Sequence, residues 1–103
     1  MSEGPIYMLN VLSFKPEGGA DRYKEYLKAA APISARYGAR KLDSFVPEAA
    51  LIGEFDADLL FFVEWPSRQM FDSFLGDPEF QAVLHLREEA LSNSLLVPCR
   101  RFA

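Results

Sequence analysis

Cysteine, histidine and tryptophan each occur once in the 103 residues, as Cys99, His85 and Trp65. A single cysteine excludes an intrachain disulfide and any multi-cysteine metal cluster. A single histidine is a poor metal signal, and no metal site is expected. Long apolar runs are missing too. The longest, LLFFV at residues 59–63, is far short of the ~20 residues that span a bilayer. The opening MSEGPIYM has no basic stretch followed by an apolar one, so it does not read as a secretory leader. The expectation is a cytoplasmic protein that does not enter a membrane. Positive charge is scarce: 11 Lys and Arg against 15 Asp and Glu give a formal net charge of −4. That balance argues against nucleic acid and against an anionic membrane surface as partners. GxGxxG, P-loop, HExxH, GxSxG and CxxC patterns are all absent, so no nucleotide cofactor is implied and none is expected.

What is present is an ordinary globular composition with extra aromatics. Half of the residues are apolar, a quarter are charged, and nine are Phe. The length allows one domain, residues 1–103. PIYMLNVLSF at residues 5–14 reads as a strand with two apolar faces: Ile6, Met8, Leu12 and Phe14 on one, Tyr7, Leu9 and Val11 on the other. A strand of that kind is covered on both sides. Asp21 then caps a helix to about Tyr37, along which Tyr23, Tyr26, Leu27, Ala30 and Ser34 recur at helical steps. Pro32 predicts a kink or restart near Ala31, and Gly38 suits the residue after the helix. ARKLDSFV and EAALIGEF read as two short strand-like pieces, one bent strand or a small hairpin. LLFFVEW is the clearest strand. Ser67 and Asp77 are helix caps, with Pro78 in the first turn behind Asp77. SNSLLVPCRRF closes as a strand, and Pro98 places it at a sheet edge or a bulge.

The order β-α-β-β-α-β is that of an α+β, ferredoxin-like sandwich, an antiparallel sheet with both helices on one face. The other face is then bare, although the central strands are apolar there as well. A second copy of the chain is the simplest cover, which makes a homodimer through the sheet face.

DRYKEYLKAAAPISARYGAR, LIGEF, LLFFVEWPSRQMFDSFLGDPEFQ and LREEA, in that order, resemble domain-of-unknown-function family 1330 of the dimeric α/β barrel superfamily. The resemblance runs from about Tyr7 to Phe102. It implies a homodimer whose two sheets form a barrel, and it carries no established reaction. The wider superfamily includes cofactor-free monooxygenases, haem-degrading monooxygenases and muconolactone isomerases. The haem-degrading branch resembles this chain around VEWPSRQMFDSFL, and Asn10 matches its first-strand Asn. Its helix Trp and His, however, fall on Phe74 and Leu84, and His85 is one place off, so an iron ligand is missing.

The residue that stands out is Arg87, in FQAVLHLREEAL at residues 80–91. It projects from the middle of the stripe formed by Phe80, Val83, Leu84 and Leu91. A guanidinium there either reaches water, pairs with an acid, or serves a ligand. Glu64, the one acid in LLFFVEW, is the first candidate for a structural tie, and Glu54 is the second. If Arg87 instead lines a pocket, it holds a small anionic or aromatic molecule by bidentate contact. Glu64 and Asn10 are then the candidate catalytic partners near the reacting end, with Tyr26 and Trp65 as candidate ligand contacts. Desolvation makes a carboxylate a better base and a neighbouring Arg opposes that, so the two roles of Glu64 pull apart. Asn10 is satisfied by neighbouring backbone or offers a donor and an acceptor to a pocket. Tyr23, Tyr26 and Tyr37 share the inner side of the first helix, His85 faces solvent, and Cys99 is a small buried apolar residue. Two function classes stay open. One is a cofactor-independent isomerase or monooxygenase-like enzyme. The other is a non-catalytic dimeric domain, binding a metabolite or partner, with a structural Arg87–Glu64 pair.

Overall fold

In the computed structural model, which describes residues 4–102, the first strand β1 (Ile6–Phe14) is followed by helix α1 (Gly19–Ala35) and strand β2 (Arg40–Phe45). Strand β3 (Leu59–Trp65), helices α2 (Arg68–Leu75) and α3 (Pro78–Ala90), and strand β4 (Leu91–Cys99) complete the order. The four strands make one antiparallel sheet in the order β2-β3-β1-β4. This is the ferredoxin-like arrangement that the alternation of elements predicts, with the second helix divided at Gly76 and Asp77. Met1–Glu3 lie outside the described residues, and so does that part of the N-terminal reading. Among the described residues, no helix is long and apolar enough to cross a membrane.

Two-residue periodicity sorts the sheet into two faces. Met8, Asn10 and Leu12 of β1 and Phe61 and Trp65 of β3 are buried beneath the helices. They pack with Tyr23, Tyr26, Ala30 and Ile33 of α1, Phe71 and Phe74 of α2, and Phe80 and Ala90 of α3. Aromatic rings dominate this core. Trp65 lies 5.1 Å from Phe71 and 5.0 Å from Phe74, centroid to centroid, and Phe74 lies 4.1 Å from Phe80. On the opposite face, Leu9 pairs with Phe62 and Val97, and Val11 pairs with Leu60 and Leu95. Nothing among the described residues covers that row, and Leu95 is 54% exposed.

The helix termini obey the capping logic of the sequence. Ser67 accepts a hydrogen bond from Met70 N at 3.1 Å. Asp77 accepts from Glu79 N at 2.7 Å and Phe80 N at 3.2 Å, with Pro78 in the first turn. The Asp77 carboxylate also accepts from the Tyr37 hydroxyl at 2.6 Å and from Arg36 at 3.5 Å, which ties the end of α1 to the start of α3. Those bonds hold the Asp77 carboxyl below its usual range, the Tyr37 hydroxyl contributing most.

Three expectations are corrected. Helix α1 starts at Gly19 after a left-handed Gly18, so Asp21 sits in the first turn and caps nothing. The same helix runs through Pro32 to Ala35 without a break. Pro32 gives up the one bond its nitrogen would make to the carbonyl four residues back, and the helix continues only three residues beyond it. EAALIGEF is no strand. Residues 46–58 form an irregular connection in which Leu51 and Ile52 are almost fully exposed. Pro98 lies, as expected, on the edge strand β4.

Gly38 turns the chain from α1 into β2 at φ +83°, and a Cβ built there would sit 2.6 Å from Pro66 Cγ. Gly38→Ala combines left-handed strain with that clash, and should destabilise the fold by roughly 1–3 kcal/mol in a urea melt.

Candidate functional site

Between the sheet and helices α1 and α3 lies a cavity of ≈ 500 Å³, within the ~300–1,000 Å³ span of small-molecule pockets. Its floor is Met8, Asn10, Phe61, Val63 and Trp65 from the two central strands. Tyr23, Tyr26 and Ala30 of α1 form one wall, and Leu84 and Arg87 of α3 form part of the other. The local sequence dictates this layout. On β1 the positions 8 and 10 share the helix-facing side. On α1 the three- and four-residue steps of Tyr23, Tyr26 and Ala30 align them along one stripe. On α3, Leu84 and Arg87 are three residues apart and so are neighbours on one face.

The guanidinium of Arg87 is the electrostatic centre of the site. Its Nη2 is shut off from solvent and has no hydrogen-bond partner among the described residues. No carboxylate lies within ion-pair distance of it there, since the ion pairs involve Arg22, Arg36, Arg40 and Arg68. The expected tie to Glu64 is therefore corrected. Glu64 pairs with Arg40 across β2 and β3. It shares the bare face with Tyr7, its cross-strand neighbour. One residue of offset from Val63 and Trp65 puts Glu64 on the side of the sheet away from the cavity. Glu54, the second candidate, falls in the exposed connection and makes no ion pair with Arg87 either.

The remaining candidates divide between the cavity and the surface. Asn10 is buried at the cavity floor, and its amide nitrogen donates to Met8 O at 3.3 Å. That single bond satisfies one of its donors and leaves the rest of the amide for a cavity occupant. Tyr26 and Trp65 both line the cavity. Tyr23 does as well, with its ring 5.4 Å from that of Tyr26. Tyr37 does not; its hydroxyl is bound to Asp77. His85 is exposed on α3. Cys99 is not enclosed: it is half-buried on the bare face of β4, opposite Tyr7.

Burial pushes the Tyr23 hydroxyl well above its usual range, and the neighbouring Tyr26 adds to that, while the charge of Arg87 opposes it. Tyr26 is raised by burial too, against the same opposing charge. Both phenols are thus neutral donors at physiological pH, beside a fixed cation. Sequence reasoning missed Lys41, whose Nζ lies 4.8 Å from the centre of the Phe61 ring at the cavity edge. Its signal was the register Lys41↔Val63, which is legible only once the β2–β3 pairing is known. No group of three or more His, Cys, Asp or Glu that could hold a metal occurs among the described residues.

The raised tyrosines carry a pH consequence. Above about pH 10, Tyr23 and Tyr26 ionise in the unfolded chain while the folded chain retains their protons. Stability is complete below that pH and falls as pH rises towards the folded values, by up to roughly 1.4 kcal/mol per pH unit for each residue. Denaturant melts between pH 8 and 11 should show the decline, and Tyr23→Phe should make it shallower.

Comparison with known proteins comes from profile and structure. The sequence profile of the Domain of unknown function (DUF1330) matches residues 7–98. The RPA0582 protein of unknown function from Rhodopseudomonas palustris superposes with a TM-score of 0.92 at 28% identity, over 99% of this chain and 85% of that one. A dimeric ferredoxin-like protein of unknown function from Jannaschia sp. CCS1 gives 0.75 at 16% identity, over 95% and 100% of the two chains. A dabb family protein with a ferredoxin-like fold from Mesorhizobium loti gives 0.69 at 16% identity, over 98% and 100%. No curated protein matches the chain.

Proposed function

The chain belongs to the DUF1330 family, and we propose that it is a homodimer that binds a small anionic or aromatic metabolite in the Arg87 cavity. One observation carries the reading: a buried, unpaired guanidinium nitrogen belongs to a residue in the wall of an apolar cavity of ≈ 500 Å³. Arg87 is half-buried as a residue, and a buried donor left without an acceptor costs about 1–3 kcal/mol, more on a charged group, against about 5–15 kcal/mol of total stability. A fold retains such a group when something outside the chain pairs with it. Trp65 and Tyr26 supply apolar and aromatic wall, and Asn10 supplies a polar contact at the floor.

The homodimer rests on the bare sheet face. Leu9, Val11, Leu60, Phe62, Leu95 and Val97 form a continuous apolar row there, and ferredoxin-like relatives from Jannaschia and Bacteroides fragilis are described as dimeric. Sheet-to-sheet pairing of two copies covers the row on both. The reading keeps the protein in the cytoplasm.

Turnover without a cofactor is a second reading, favoured by the company Arg87 keeps. A cation and the neutral donors Tyr23, Tyr26 and Asn10 around one cavity can hold an enolate or phenolate as it forms. Glu64 takes no part in it, because it lies across the sheet.

Two measurements test the main reading. Trp65 is the only tryptophan and lines the cavity, so titration with benzoate or phenol should change its emission saturably; an emission that never changes removes the pocket reading. In sedimentation equilibrium the protein should run as a dimer, and Phe62→Glu on the bare face should shift it to monomer. A monomeric wild type removes the dimer.

A further inference from the structure

Resting on that pocket reading, we infer the charge class of the ligand: an apolar monocarboxylate, with its single carboxylate at Arg87 and its hydrocarbon body towards Trp65, Phe71 and Phe74. Among the described residues the cavity wall contains Arg87 and the exposed Lys41 as its cations, and no Asp, Glu or His. Its remaining polar side chains are neutral: Asn10, Tyr23, Tyr26, Ser34 and Gln81.

Each alternative class meets a specific mismatch. A neutral carbonyl can accept from the buried Nη2 of Arg87 but brings no charge to balance the half-buried guanidinium. A zwitterion such as an amino acid needs an anion for its ammonium group, and the wall offers none. A phosphate monoester brings close to two negative charges, of which Arg87 balances one. The second would have to be met by Lys41, which is exposed, hydrogen-bonded to Ser44 and set over the Phe61 ring. A dicarboxylate would in addition draw its second charge past a wall built of aromatic rings. A monocarboxylate balances the half-buried charge of Arg87 and gives its enclosed Nη2 an acceptor, matches the planar fork of the guanidinium with two oxygens, and leaves an apolar body for the rest of the space. Tyr23 and Tyr26, protonated donors beside Arg87, can add hydrogen bonds to the same oxygens without adding charge.

The test is a calorimetric and thermal-shift series on the intact wild-type protein at pH 7.5, using hexanoate, hexanamide, benzoate, benzamide, phenyl phosphate, adipate and phenylalanine. Charge-assisted bonding to Arg87 should make each monocarboxylate bind roughly 10- to 100-fold more tightly than its amide. Phenyl phosphate, adipate and phenylalanine should bind more weakly than benzoate and hexanoate. Arg87→Met should abolish the preference for acid over amide, and Arg87→Lys should retain part of it. Arg87→Met removes a charge that has no internal partner, so the variant should fold at least as well as wild type. If it does not fold, the acid-to-amide ratio in wild type decides alone. Equal binding of acids and amides, or tighter binding of adipate or phenyl phosphate, overturns the monocarboxylate class and leaves the pocket standing. Absence of binding by every probe, amides included, overturns both.

Discussion

Everything in this fold depends on a strand that is apolar on both sides. β1 sits at the centre of the sheet, and its alternate residues are committed to two different neighbours. Met8, Asn10 and Leu12 meet the helices, while Tyr7, Leu9 and Val11 meet whatever covers the other face. With an antiparallel partner on each side, the register of β1 transmits that division to β3 and β4 residue by residue. The sheet therefore separates two activities. One face builds a cavity, the other presents an apolar row that nothing among the described residues covers, and no side chain of β1 serves both.

Against that division, Arg87 is an electrostatic exception on the cavity side. Core positions around it are aromatic or aliphatic, and among the described residues no carboxylate pairs with its charge. Its Nη2 is enclosed without an acceptor, and a buried donor left unpaired is destabilising. Function is the ordinary reason for such a site to persist. The aromatic density of the core serves the same end. Large rigid rings such as Trp65, Phe71 and Phe74 can brace one another around open space at low conformational cost, where flexible side chains would collapse into it.

The fold is legible in the sequence because its signals are local. Strand periodicity in residues 6–14 and 59–65, the Ser67 and Asp77 caps and Pro98 at the edge each depend on a few neighbouring residues, and the element order then leaves few topologies. The misreadings have non-local causes. EAALIGEF carries strand-like apolar content, but the edge strand β2 ends at Phe45 and no strand pairs with residues 46–58. Pro32 costs a backbone bond, but the helix on either side of it holds without interruption to Ala35, an outcome set by the packing of α1 on the sheet and not by the residues next to the proline. In the site, the anomaly of Arg87 is legible and its surroundings are only partly so. Trp65, Tyr26 and Asn10 read as its neighbours and do line its cavity. Glu64 is misread by one residue of alternation, because the burial of its strand does not give its phase relative to Trp65. Lys41 is invisible, since it reaches the cavity only through the pairing of β2 with β3.

Helix α3 passes into β4 with no intervening residue: Ala90 ends one and Leu91 begins the other, and Leu91 N donates to Arg87 O. Inserting one residue on the helical side would swing Arg87 by about 100° about the helix axis, and inserting it on the strand side would exchange the two faces of β4. Length is thus as tightly constrained as chemistry at this point of the chain. An insertion that surface connections such as residues 46–58 can absorb would, between Arg87 and Leu96, be taken up only where β4 already departs from regular pairing, between Leu91 and Asn93 opposite Phe14 and Ser13.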